Sequence, residues 1–420
     1  MIFIMNSIRS FLTKKTQVID RFSGLLDQSL FSAATLLQTF AYAKVLSPEE
    51  FGAFGLVQGT CLLMQGVQRS TVVLPMIMTS HQSGGDAAWA RFDFGLRIVV
   101  ATVLALLALS AGVLGLKPYF SIAFALSAVT TTATLAYEFQ RRILFLQRKS
   151  LTVVLCALTY FLLAGVGVAI VMFWLRNVTA AAMGLFIAAL AAAIVGWSRR
   201  DPLPGPSVRI HDHLGIVGWN LLSFLPYAVY NNGMLLIVGA VSDARAVALF
   251  TASRLFTAPV QTLLQAIDSV DKPRARRMFA SDGSVGLSRS LNGTRRSLLA
   301  LGLPYLVLIA AGAGFIVPTL FGTRFPGMVE AVRAWSIVAL LMLLSQPLET
   351  GLLVLHKSDL FFWTRSAAAI ATVVTLFGVG FLIPPLAPIA PIAALVVGWG
   401  AGGILAGLLL KRQLQKAVAR

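Results

Sequence analysis

VALFTASRLFTAPVQTLLQAIDSVD, residues 247–271, is long and apolar enough to cross a bilayer as a helix. Arg254, Thr257, Gln261, Gln265 and Asp268 interrupt it. At roughly 100° per residue these five share an arc of about 80°, so one face is polar along most of its length while the rest suits lipid. A guanidinium inside a span costs about 2.5–3.5 kcal/mol on insertion scales, which directs it toward a protein interior or a wet cavity. The stretch therefore predicts a membrane-crossing helix that lines a cationic cavity.

The rest of the chain has the same character. Of 420 residues, 57% are hydrophobic and 12% are charged, about half the charged fraction of a soluble domain. Apolar runs of span length recur from end to end and predict twelve crossings, at 22–44, 52–79, 92–115, 119–146, 151–173, 178–197, 215–240, 247–270, 297–321, 328–355, 360–382 and 388–410. No soluble domain fits between them. The fold class expected is an all-α integral membrane protein of about twelve transmembrane helices.

A net charge of +18 could suggest nucleic acid, but the basic residues sit at span ends. With this topology 26 of the 34 lysines and arginines fall on the side that holds the N-terminus, six on the other, and Arg69 and Arg254 lie inside spans. Such a bias puts both termini in the cytoplasm of an inner membrane and implies no nucleic-acid partner. Cys61 and Cys156 lie in apolar spans and imply neither a disulfide framework nor a metal site. His211 and His213 lack a third ligand at metal spacing. A Gly-rich loop followed by Lys and Ser/Thr is missing, as is a nucleophile–base pair. No cofactor and no enzymatic activity are expected.

The Pro-rich, basic connection SRRDPLPGPSVRIHD (198–212) follows span six and reads as a joint. The expected organisation is an N-terminal cytoplasmic or interfacial segment (1–21), an N-lobe (22–197), an inter-lobe loop (198–214), a C-lobe (215–410) and a tail (411–420). The lobes resemble each other. LFLQRKS (144–150) ends span four and LLVLHKS (352–358) ends span ten; VLSPEE (45–50) and AVSDAR (240–245) occupy the turns after spans one and seven. Six spans per lobe make the repeat parallel, with a site expected between the lobes. The basic connection 272–296 reads as a cytoplasmic loop that signals topology and contacts anionic lipid.

Helical projection finds polar stripes on six spans. They comprise Asp27, Thr35 and Gln38 (span one); Gln58, Gln65 and Arg69 (two); Thr134, Tyr137, Glu138 and Arg141 (four); Asn220, Ser223, Tyr227 and Asn231 (seven); the five residues above (eight); and Gln346, Glu349 and Thr350 (ten). Spans three, five, six, nine, eleven and twelve show no comparable stripe. The expected site is a cavity made cationic by Arg254 and Arg69 and lined by Gln38, Gln58, Gln65, Asn220, Tyr227, Asn231, Thr257, Gln261 and Gln265. Asp27, Glu138, Asp268 and Glu349 are candidates for proton coupling or for bracing the arginines.

Asp27-Gln28-Ser29 opening span one, Leu46-Ser47-Pro48-Glu49-Glu50-Phe51-Gly52 at the first hairpin, and Arg254-Leu255-Phe256 with Pro273 beyond it carry a family resemblance. The chain resembles the Wzx-type polysaccharide or O-antigen repeat-unit flippases of the multidrug/oligosaccharidyl-lipid/polysaccharide (MOP) exporter superfamily. The resemblance implies a V-shaped, MATE-like transporter with a cavity formed by spans one, two, seven and eight. It also implies a substrate, a polyprenyl-pyrophosphate-linked oligosaccharide carried to the outer leaflet, with membrane lipids and a polysaccharide polymerase or co-polymerase as partners. Lipid II flippases use cavity arginines on spans one, two and eight; Arg69 and Arg254 match two of these helices, and span one here offers no third. The main alternative is a MATE-type multidrug or cation antiporter, which should present acids rather than arginines.

Overall fold

The computed structural model describes residues 2–79, 85–115, 117–203, 210–382 and 389–418, which are helical almost throughout and contain no strand. The elements are α1 (Ile2–Val45), α2 (Pro48–Gln68), a π turn (Arg69–Val73), α3 (Leu74–Thr79), α4 (Gly85–Val113), α5 (Pro118–Leu146), α6 (Ser150–Phe173) and α7 (Val178–Arg199). A short 3-10 turn (Ile210–His213) leads into α8 (Leu214–Tyr230), α9 (Met234–Val241) and α10 (Ala244–Arg254). A second 3-10 turn (Leu255–Thr257) precedes α11 (Ala258–Phe321), α12 (Met328–Val354), α13 (Ser358–Leu382) and α14 (Ala390–Val418).

Each of the twelve expected spans falls on a helix. Among the described residues nine helices are long and apolar enough to cross a membrane, and α8 with α9 makes a tenth span bent by 50°. The helices at spans one and two, α1 and α2, miss that measure; Asp27, Gln28 and Gln38 dilute α1, and Gln58, Gln65 and Gln68 dilute α2. The chain is an all-α, multi-pass membrane protein.

Contacts divide it into two compact units, Met1–Leu221 and Leu222–Arg420. Helix pairings recur within each. In unit 1 the span-three helix α4 and the span-two helix α2 both pack on α5, and α7 packs on α5 and α6; in unit 2, α11 and α10 pack on α12, and α14 packs on α12 and α13. The unit boundary lies beyond the Pro-rich joint, because the start of α8 belongs to unit 1: Val217 is buried with Val72, Met76, Trp89, Phe139 and Ile143. Most of that joint, 204–209, lies outside the described residues.

The repeat is written into the chain turns. Among the described residues Arg148 and His356 are the non-glycine positions with positive φ, both 55°, and they are matching positions in LFLQRKS and LLVLHKS. Each closes a helix in the same way. Lys149 N–H donates to Leu144 O at 2.9 Å and Arg148 N–H to Phe145 O at 3.1 Å; Lys357 N–H donates to Leu352 O and His356 N–H to Leu353 O, both at 3.0 Å. This is the Schellman closure, which satisfies the last carbonyls of a helix. The turns after spans one and seven also match in chemistry. The Ser47 hydroxyl accepts from Glu50 N–H in a full capping box, and the Asp243 carboxylate accepts from Ala246 N–H at 2.8 Å.

One expectation is corrected. The connection 272–296 is helical and part of α11, broken at Gly283 (φ 60°, ψ −143°). Its arginines and leucines are good helix formers, and Ala275, Leu287 and Leu291 bury an apolar face against α12 and α14. The helix that carries span one, α1, begins at Ile2.

Core packing in unit 1 relies on small residues. A Cβ at Gly167 of α6 would lie 3.0 Å from the Gly184 Cα of α7, and one at Gly184 would lie 3.2 Å from the Gly167 Cα. The backbones therefore touch, as small-residue helix contacts in membranes allow. Gly167→Val is expected to force α6 and α7 apart and cost about 1–3 kcal/mol, read as a lowered thermal midpoint of the full chain in detergent. The matched Gly165→Val, where a Cβ meets nothing within 4 Å, should change little.

Candidate functional site

In unit 1 the charged residues of spans one, two and four converge. Arg141 of α5 is 4% exposed. Its Nη2 donates to Asp27 Oδ2 of α1, and its Nη1 donates to Glu138 Oε2 at 2.7 Å. Arg142 grips the other oxygen of Glu138 through Nε at 2.8 Å and Nη2 at 2.6 Å. Arg69, exposed at the start of the π turn, is near enough to act on Glu138 electrostatically. Above Arg141 the Phe31 and Tyr137 rings lie 5.4 Å from its guanidinium carbon, and Tyr137 stacks on Tyr160 at 5.3 Å. Two arginines, Arg141 and Arg142, pair with two carboxylates, Asp27 and Glu138, so the charges of the bonded cluster balance. Burial of such a group is tolerated only with close pairing of this kind. Among the described residues, Asp27 Oδ1, Arg141 Nε and the Tyr137 hydroxyl have no hydrogen-bond partner.

The other expected residues of unit 1 lie on the same helices and on the start of α8. Gln38 is 1% exposed. Gln58 donates to Thr39 Oγ1 at 3.3 Å and ties α2 to α1. Gln65 is half-buried on α2. Asn220 is half-buried on α8, and its amide nitrogen has no partner among the described residues.

In unit 2 the decisive feature is the break in span seven. Helix α8, with Pro226 inside it, stops at Tyr230, and the chain resumes as α9 at Met234. Asn231 stands in the gap. Its side-chain oxygen accepts from Arg254 Nη2 at 3.1 Å, and the Arg254 guanidinium faces the Trp335 ring at 5.8 Å. Arg254 is the last residue of α10. The adjoining 3-10 turn pulls Thr257 inward, 2% exposed, where its hydroxyl donates to Arg254 O at 2.8 Å. The stripe read from an ideal wheel is thus re-registered at its start. Gln261 is half-buried on α11; the side chains of Gln265 and Asp268 lie outside the described ones.

Glu349 of α12 pairs with Arg365 Nη2 of α13 at 3.1 Å. The Arg365 guanidinium lies over Tyr227 at 4.4 Å and Phe361 at 4.1 Å. Through the LFLQRKS/LLVLHKS correspondence, Glu349 occupies the position of Arg141. Both are half of an ion pair, fully buried at Arg141 and half-buried at Glu349, with the sign of the charge reversed.

Three participants escape the sequence reading. By hydropathy alone Arg365 and Arg97 are interfacial cations, and Asp93 belongs to no stripe. Asp93 is 0% exposed; it accepts from Gln68 Nε2 at 2.5 Å and pairs with Arg97 at 3.0 Å. Gln68 also donates to Leu135 O at 2.8 Å. A signal for this pair exists: opposite charges four residues apart within an apolar helix neutralise each other.

A family model described as polysaccharide biosynthesis protein matches residues 41–330, more than half of the chain. The chain belongs to this family. No curated protein matches this chain at a significant level. Among solved structures it is similar to an inward-facing multidrug resistance MATE family transporter of the MOP superfamily, with 13% identity, a TM-score of 0.72, and 94% of this chain and 98% of that one covered. It is also similar to the lipid II flippase MurJ in an inward closed conformation (12%, 0.69, 94% and 87%). A third similar structure is a MOP superfamily transporter from Pyrococcus furiosus whose description reports reversed polarity of its binding pocket (15%, 0.64, 96% and 96%). At these identities the likeness establishes a shared fold.

Proposed function

We propose that this protein is a flippase that carries a polyprenyl-pyrophosphate-linked oligosaccharide across the bacterial inner membrane by alternating access, in the service of exopolysaccharide, capsule or O-antigen synthesis, with both termini cytoplasmic. The observation that carries the reading is the state of Arg254. Among the described residues its partners are the neutral Asn231 side chain and the Trp335 ring, so a positive charge is held within a span without a carboxylate. Such a charge is costly, and a pyrophosphate offsets that cost through charge-assisted hydrogen bonds. Arg254 and Arg69 are assigned to the pyrophosphate. Gln58, Gln65, Asn220, Asn231, Gln261 and Gln265 are assigned to sugar hydroxyls. Asp27, Glu138 and Glu349 brace arginines, as their pairs in each unit suggest. A cation antiporter would need the opposite arrangement, an unpaired acid in place of an unpaired arginine.

The test is complementation of a strain lacking its repeat-unit flippase. Expression of this chain should clear lipid-linked repeat units that accumulate in the inner leaflet, after provision of the matching glycosyltransferases. Well-inserted protein that leaves the accumulation unchanged, yet confers efflux of cationic drugs, would overturn the reading.

A further inference from the structure

Unit 2 carries a large, open pocket built from three separate stretches of chain. Arg274 comes from α11 before the Gly283 break; Val285, Arg289, Asn292 and Arg296 come from α11 after it; Leu414 and Gln415 come from the end of α14. Its volume is about 870 Å³, within the range of small-molecule sites. Positions 285, 289, 292 and 296 follow helical spacing and form one face. The opposite face holds Leu287 and Leu291, buried against α12 and α14. Across the break, Thr294 Oγ1 donates to Asp271 Oδ2 at 2.6 Å and closes the two halves of α11 into a hairpin. The wall that presents the arginines is therefore held in place by packing and a hydrogen bond.

The lining is cationic and apolar together. Three of the lining residues are arginines, and none is acidic. Among the described residues the one ion pair of these arginines is a loose contact of Arg289 with Asp282 at 3.8 Å, both well exposed. Leu414 lies one helical turn beyond Leu410, where the apolar run of α14 ends at Lys411 and Arg412. The cavity thus sits where hydrocarbon gives way to headgroups. A topological charge bias needs arginines only near a span end and does not require them to converge around a cavity.

We propose that this cavity is a binding site for the phosphate headgroup of an anionic glycerophospholipid of the surrounding leaflet. The three guanidiniums hold the phosphate, Asn292 hydrogen-bonds the headgroup, and Leu414 with Val285 receives the start of the acyl chains. The proposal goes beyond the transport reading and stands without it.

The experiment uses the full chain in a neutral detergent, with bound phosphatidylglycerol counted by native mass spectrometry during titration. Arg289→Gln with Arg296→Gln should weaken binding roughly 30-fold, the effect of two basic residues at an anionic surface. Arg276→Gln with Arg277→Gln, the same charge change on exposed residues outside the lining, should stay within about twofold of the unaltered protein. Phosphatidylcholine should bind poorly to all three proteins, and inorganic pyrophosphate should not compete at equal concentration. Equal losses in the two double variants would show diffuse surface charge and overturn the proposal. So would undiminished binding to the pocket variant, competition by inorganic pyrophosphate, or a site that takes only polyprenyl pyrophosphate. Should the pocket double variant fold poorly, Arg274→Gln alone must lower affinity about fivefold; an unchanged affinity there also defeats it.

Discussion

Arg254→Ala is expected to cut delivery of lipid-linked repeat units to the outer leaflet by roughly 10- to 150-fold, the loss of a hydrogen bond to a charged group, with the amount of inserted protein unchanged. The argument rests on the surroundings of the side chain. Asn231 and Trp335 are neutral, so truncation leaves no carboxylate stranded and removes a charge that the folded protein bears at a cost. Activity and stability should consequently move in different directions. Arg254→Lys keeps the charge but loses the planar fork that binds phosphate oxygens two at a time, and it should fall between the two. The measurement is export in the complementation strain alongside membrane abundance and thermal midpoint. Full export by a well-inserted Arg254→Ala protein would remove this residue from the mechanism.

Arg141→Ala should behave in the opposite way, with a loss of about 3–5 kcal/mol in stability, the usual cost of removing one partner from a buried ion pair. Arg141 bonds both Asp27 and Glu138, so its removal leaves Asp27 as a buried carboxylate and Glu138 with Arg142. Asp27→Asn alone should also destabilise, by leaving Arg141 over-supplied with donors. Asp27→Asn combined with Arg141→Gln should recover more than half of the Arg141→Ala loss, because neutral amides can hydrogen-bond where two ions stood. A double-mutant cycle on thermal or denaturant unfolding in detergent measures the coupling, which should exceed about 1 kcal/mol for residues in direct contact. Additive effects of the two substitutions would mean that the contact contributes no energy.

Much of the architecture can be read from residues. Span positions follow from apolar length, and the repeat follows from two pairs of short matching segments whose turns prove to share both backbone angle and capping chemistry. The site is legible only in outline. The wheel puts Arg254 on the polar face of its span, but it assumes constant pitch, and a 3-10 turn at Leu255–Thr257 shifts the register of every residue beyond it. It also treats each helix alone. Asp93 and Arg97 cancel across one turn, and Arg365 finds Glu349 on another helix; a charge reads as interfacial until its partner is known. The basic stretch after span eight reads as a loop because hydropathy registers charge, whereas helix formation there depends on Ala275, Leu287 and Leu291 finding partners in α12 and α14.

The π turn at Arg69–Val73 bears on chain length. Such a turn accommodates one surplus residue while the helix on either side keeps its orientation. Phe51 and Phe54 upstream and Met76 downstream are all fully enclosed, which needs both halves to hold their aim. An insertion or deletion elsewhere in a regular helix swings everything past it by about 100°. Span two can thus lose a single residue at this point, reverting to ordinary α-helical winding, and still point Phe51 and Met76 where they now point; the same deletion about ten residues earlier would misalign half the span.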